Sequence, residues 1–329
     1  MIIMEKKMTI KESFNLGQGW HLMIFAILAM LVTNAGVNDG LNIALPAISE
    51  GAGLNYELCL SMGTVAGFVG VAMMLVIAKF RDRFGGRKVS AALFVVFGLT
   101  YYFLFLRATN IVMYALAQCI MVSCGQGCFY LCTGPMQSDW FPKKRGVVNG
   151  ISTIGANIGT AILAPMMTAL LTFADYKTSL SVFAVAAVML GIYAFVKLRD
   201  DPREAGMYPD NVSKEVYEKE YKQLSQHDEY VSDWTIPKML KCKEVWLAAI
   251  VPGFITLGLL GIITQFVKRN TALGLSQGAA VSAMTVAGLI GIIGSYAIGY
   301  LDTKIGTKKA CMIYCCLLYT SPSPRDRQK

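Results

Sequence analysis

Residues 78–89 read AKFRDRFGGRKV, and residues 299–310 read GYLDTKIGTKKA. Each stretch runs from a small residue past an acid, a base and an apolar position to a glycine, one more residue and then two bases. Gly85 and Gly306 permit a tight reversal of the chain. Asp82 and Asp302 stand where a carboxylate can face the positive N-terminus of another helix. Arg83, Arg87, Lys88 and Lys304 can pair with acids or lipid phosphates. Each stretch lies between two long apolar blocks, so the meaning of the repeat depends on what those blocks are.

Composition settles that point. Of 329 residues, 55% are hydrophobic and 16% charged, whereas soluble domains are about a quarter charged. Apolar blocks of about 20 residues recur, each long enough to cross a hydrocarbon core of about 30 Å. Eight full spans are expected at 20–46, 56–80, 89–106, 111–134, 146–173, 180–198, 245–267 and 278–301, with a ninth starting near Ala310. They should be helices, because backbone polar groups find no water inside a bilayer. The fold class is therefore an all-α polytopic membrane protein. The apolar stretch after Trp20 is too long for a cleaved signal peptide and lacks a small-residue cleavage pattern.

The second copy of the loop lies six spans after the first. This predicts a duplicated six-helix unit of parallel topology with a hydrophilic linker between the halves. Residues 1–198 form the first bundle, 199–243 the linker and 244–315 a partial second bundle. Basic residues cluster in alternate connections: Lys6, Lys7 and Lys11; the 78–89 loop; Lys143, Lys144 and Arg145; the linker; and Lys304, Lys308 and Lys309. That side should be the cytoplasm, with the N-terminus on it, in a multi-pass cell-membrane protein. The net charge of +9 is spread over short membrane-edge loops, which fits lipid anchoring and not nucleic-acid binding.

Other chemistry is sparse. Cys124, Cys128 and Cys132 share one helical face and read as packing residues. The two histidines, His21 and His227, have no metal-type neighbour. No metal site and no cofactor is expected, and a membrane enzyme finds no nucleophile, base or paired acids.

The loop RDRFGGRK (81–88), its echo LDTKIGTKK (301–309) and the six-plus-six layout resemble the major facilitator superfamily of secondary transporters. By that resemblance the first-half loop clamps the eleventh span and the second-half loop clamps the start of the fifth. Asp302 would then face the helix start near Gly146, and the partner of Asp82 would lie beyond these residues. In the second copy the acid comes one position early and Thr307 replaces a common base. Two further stretches, SDWFPKKRGVVNGI (138–151) and DPREAGMYPDN (201–211), resemble organic-anion branches of the superfamily, closest to oxalate/formate antiporter-like porters.

The candidate substrate and coupling-ion residues are polar groups inside spans. TNAGVNDGLNIALP (33–46) places Asn34, Asn38 and Asn42 at helical spacing with Asp39 beside them. A carboxylate within a membrane is costly unless protonated, paired or hydrated, so Asp39 is a candidate proton or cation carrier. Gly40 and Pro46 equally allow the span to end early, leaving Asp39 in a wet loop. Gln118, Gln126 and Tyr130 follow at spacings of eight and four in the fourth span. In NGISTIGANIGTAILAP (149–165) the glycines allow close helix approach, and Asn157 is expected to line a cavity. Gln265 and Lys268 are weaker candidates. The full spans carry no arginine or lysine at mid-helix to offset a substrate carboxylate.

The expected function is secondary transport of a small organic solute, a carboxylate by resemblance, with proton or solute coupling and a monomeric protein in the bilayer. A proton-coupled carrier of a neutral or cationic solute is the alternative. A non-transporting receptor or scaffold is the remote one. Residues 213–224, SKEVYEKEYKQL, should form a short solvated helix supported by Glu215–Lys219 and Glu218–Lys222. The apolar run after Ala310 gives way to Ser-Pro-Ser-Pro and mixed charge. CLLYTSPSPRD (316–326) back-translates to something like a sequencing-library transposon adapter. Residues 316–329 are therefore expected to be non-native, with the native sequence ending near Cys315.

Overall fold

The structure, a computed structural model, describes residues 10–218 and 235–319. The second half of the helix expected at 213–224 lies outside those residues, as does the end of the chain from 320 on. All regular structure among the described residues is helical. Among the described residues, six helices are long and apolar enough to cross a membrane: Gly17–Val37, Tyr56–Phe84, Gly86–Phe105, Ile111–Trp140, Tyr176–Lys197 and Gly278–Ile305.

The helices are named in chain order: α1 Trp20–Val37, α2 Asp39–Ala52, α3 Tyr56–Phe84, α4 Gly86–Thr100, α5 Ile111–Gly127, α6 Arg145–Ile158, α7 Tyr176–Lys197, α8 Lys243–Ala272, α9 Gln277–Ile305 and α10 Thr307–Tyr319. Wide π-helical turns carry three of them onward: Tyr101–Phe105 after α4, Cys128–Thr133 after α5 and Gly159–Leu163 after α6.

The first expected span is two helices. It breaks at Asn38, whose φ of −110° and ψ of −110° belong to no helix. The Asn38 side chain donates to Asn34 Oδ1 at 2.8 Å. Asparagine competes with the backbone for hydrogen bonds in this way, which disfavours helix interiors. Asn34, Asn38 and Asn42 therefore do not form one continuous helical stripe, a correction to the spacing argument. Pro46 sits inside α2.

The chain forms two compact units, Met1–Asn211 with Thr285–Lys329, and Val212–Met284. In the first, α1 packs on α6, α3 on α5 and α4 on α7. The α4–α7 pair is close because small residues meet backbone: a Cβ on Gly98 would lie 2.7 Å from the Ala184 carbonyl, and one on Gly191 2.8 Å from that of Ala91. The small-residue contact brings the two backbones within dispersion range. An aromatic column of Phe94, Phe97, Tyr101, Phe105 and Tyr114 continues the buried core. The second unit contains the short helix Ile236–Lys241, α8 and the start of α9, and Trp246 Nε1 donates to the Leu240 carbonyl at 2.8 Å.

The two ends of the first unit are built differently. At one end, helices start on side-chain caps: Asn55 Oδ1 accepts from Leu58 N, Asn110 Oδ1 from Met113 N and Asp175 Oδ1 from Thr178 N. Such caps satisfy amides that have no partner within the helix. At the other end lie the basic connections and the two Gly-centred reversals.

Candidate functional site

Gly85 has φ +86° and ψ 155°, a region essentially open to glycine alone. It turns α3 into α4 within one residue. The amide of Arg87 then donates to Asp200 Oδ1 at 2.7 Å. Arg87 Nε donates to the Phe195 carbonyl at 2.8 Å, and its guanidinium lies 5.2 Å from the Phe195 ring centre. A carboxylate is thus held at the N-terminus of α4, where the helix dipole favours it. That carboxylate is Asp200, just past α7, which the sequence reading did not single out. Asp82 is 71% exposed and pairs with its neighbour Arg81 at 3.3 Å. Arg83 lies 5.4 Å from the Phe84 ring, and Lys88 is exposed. A cavity of about 260 Å³ opens between Arg81, Asp82, Met136, Asp139 and Asp200.

The second loop makes the same turn and finds a different partner. Gly306 has φ +83°. Asp302 abuts the start of α6: a Cβ on Gly146 would collide with its Oδ2 and lie 2.7 Å from Thr303 Oγ1. The Val147 amide donates to Thr303 Oγ1 at 3.2 Å, and Thr303 donates to the Gly299 carbonyl at 3.1 Å. Thr303, unmarked in the sequence, makes the hydrogen bond to the first turn of α6. Lys304 lies 5.7 Å from the Tyr300 ring.

Above this contact α6 and α9 run together. A Cβ on Gly150 would lie 2.6 Å from the Ser295 carbonyl, and one on Gly288 2.8 Å from the Ala161 amide. Asn157 Nδ2 donates to Ser295 Oγ at 2.7 Å and to the Gly291 carbonyl at 3.2 Å. Asn157 therefore ties two helices together as well as lining a cavity of about 710 Å³, with Asn149, Thr153, Ser295, Asp302 and Tyr314.

The remaining candidates are dispersed. Asn34 Nδ2 donates to the Ala156 carbonyl at 3.3 Å, joining the break after α1 to α6. The side chains of Asp39 and Asn42 lie outside the described residues, as do those of Gln265 and Lys268. Gln118 is buried, Gln126 is half-buried, and Tyr130 is 62% exposed. The wide turn beginning at Cys128 changes the helical register, so the spacing of eight and four does not produce one face.

A second polar cluster was not foreseen. Lys144, almost fully buried, donates from Nζ to the carbonyls of Asn15 at 2.9 Å and Asp210 at 3.3 Å. Burial pushes its ammonium pKa down, against the opposing pull of Asp210 and Glu12. Asp210 Oδ2 accepts from the Lys143 amide at 3.0 Å, and Trp140 Nε1 donates to the Arg199 carbonyl at 3.1 Å. The two stretches that carried the organic-anion resemblance, 138–151 and 201–211, are thus packed on each other.

Comparison with known proteins agrees with this geometry. The profile described as Major Facilitator Superfamily matches residues 22–321. The Escherichia coli (strain K12) protein named "Uncharacterized MFS-type transporter YhjX" is 22% identical over 253 residues, covering 76% of this chain and 58% of that protein. Monocarboxylate transporter 12 of Rattus norvegicus is 23% identical over 211 residues, 58% of this chain and 42% of the relative. The human protein of that name is 22% identical over 208 residues, 58% of this chain and 39% of the relative. The chain spans about half the length of these relatives. It belongs to the major facilitator superfamily, and its apolar helices of membrane-crossing length make it a multi-pass membrane protein.

Proposed function

We propose that this chain carries the working parts of a secondary active transporter that moves a small organic solute by alternating access. The observation that carries the reading is the α6–α9 seam. Asp302 and Thr303 of the second loop dock on the first turn of α6, and Asn157 binds Ser295 further along. These contacts join a helix of the first six-span half to one of the second. In a two-half carrier, rocking about a central site must make and break such contacts.

A small carboxylate is the proposed substrate class. The names of the monocarboxylate relatives support it, and so do the stretches 138–151 and 201–211 with their likeness to oxalate/formate antiporter-like porters. Proton or solute exchange supplies the energy, and Asp39, at the break between α1 and α2, is the proposed proton carrier. The basic end, holding the Gly85 and Gly306 loops, faces the cytoplasm of a cell membrane, with the N-terminus on that side.

The test is uptake of labelled mono- and dicarboxylates into reconstituted vesicles under imposed proton or sodium gradients. Uptake above protein-free vesicles is expected. No uptake of any organic solute under either gradient would overturn the reading. Asp39→Asn is expected to lower proton-driven uptake at least tenfold, and full uptake in that variant removes Asp39 as the carrier.

A further inference from the structure

We propose that residues 13–15 form a latch across the α6–α9 seam, released when the transporter opens at its basic end; the inference rests on the alternating-access reading above. The latch has a firm end and a weak end. At the firm end Leu16 is fully buried, and Gly17 adopts φ +54° in a spot where a Cβ would strike Met207. The Asn15 carbonyl accepts from Lys144 at 2.9 Å, and its Oδ1 accepts from Asn211 at 2.8 Å. Lys144 immediately precedes α6, so this anchor moves with the first half.

The weak end reaches α9. Phe14 stacks on Tyr296, with ring centres 5.1 Å apart and planes 21° apart. Ser13 Oγ and Tyr296 Oη are hydrogen-bonded at 2.9 Å. Tyr296 adjoins Ser295, the residue that Asn157 holds from α6. The chain before α1 therefore crosses the same seam that Asp302 and Asn157 close. The Phe14–Tyr296 stack and the Ser13–Tyr296 hydrogen bond are each worth roughly fivefold in an equilibrium. The anchor adds the buried Leu16 and a hydrogen bond from the Lys144 ammonium, and Phe14 also stacks on Trp20 at the start of α1, so a strap under load lets go at Tyr296 first. Rigid-body rocking would carry Tyr296 away while Asn15 stays on Lys144. Phe14 and Tyr296 act as positioning residues: they set how much of the protein is closed, without touching substrate.

The experiment reads that population directly. Spin labels are placed at Lys197 and Lys308, both exposed, in protein whose exposed native cysteines are replaced by serine, and distances are measured in lipid nanodiscs. Tyr296→Phe keeps the ring and loses the hydroxyl; it should raise the ratio of long to short distances about fivefold. Ser13→Ala should reproduce that shift from the strap side. Phe14→Ala, at a residue 43% exposed and outside the core, should raise the ratio by a similar factor without affecting folding. Ratios within twofold of the parent in all three variants overturn the latch, as does a single unchanged distance population throughout. The readout needs no substrate, so failure of every solute in the uptake assay overturns the transport reading and leaves the latch result standing.

Discussion

The two Gly-centred loops have nearly the same sequence pattern and the same backbone reversal, yet their surroundings differ. After Gly85 the helix start is served by Asp200, just past α7, and the loop's own Asp82 is left exposed beside Arg81. After Gly306 the loop reaches outward, with Asp302 and Thr303 on the first turn of α6. The shared motif therefore encodes a turn and a carboxylate at a membrane edge. Which helix that carboxylate meets depends on what is packed beside the turn.

Substitutions can break this comparison, beginning with the largest effect. Gly150→Leu forces a side chain against the Ser295 backbone and should cost about 3 kcal/mol. Spin-label distances should shift to the long population, while the first half keeps its thermal unfolding behaviour. A closed seam in this variant would show that α6 and α9 do not meet this way. Gly85→Ala should do the reverse. At φ +86° and ψ 155° a Cβ costs about 2 kcal/mol of backbone strain and also meets Asp200, so the unfolding midpoint in detergent falls while the seam distances hold.

The acids provide the finer contrast. Asp302→Asn removes a negative charge from the N-terminus of α6 and should weaken closure by about 1 kcal/mol, roughly fivefold in the closed-to-open ratio. Asp82→Asn should change the unfolding midpoint hardly at all, since an exposed pair such as Arg81–Asp82 contributes less than about 0.5 kcal/mol. Equal effects of the two substitutions on the seam would erase the distinction drawn between the loops.

Some of the candidate site was readable from spacing and some was not. Asn157, a polar residue flanked by small ones within an apolar span, stood out in the sequence. Its bond to Ser295 did not, because the partner lies on a helix far along the chain. The regular spacing of the asparagines after Thr33 hid the break at Asn38, where a side chain competes with the backbone. Tyr130 was grouped with Gln118 on a helical period that the wide turn at Cys128 interrupts. Lys144, Asp210 and Asn15 carried no signal, since a basic loop residue reads as membrane-edge charge until its ammonium is seen buried against two carbonyls.

The sequence by itself determined the helical membrane class, the repeated loop and the side on which the bases collect. Those properties follow from local quantities: apolar length against bilayer thickness, glycine at positive φ, and charge near helix ends. Tertiary structure alone decided the partners: Asp200 for α4, Asp302 and Thr303 for α6, and Tyr296 for the strap at Phe14. A hydrogen bond or ring contact depends on two atoms arriving within a few ångströms of each other. Residues distant in the chain do so only after the helices have packed.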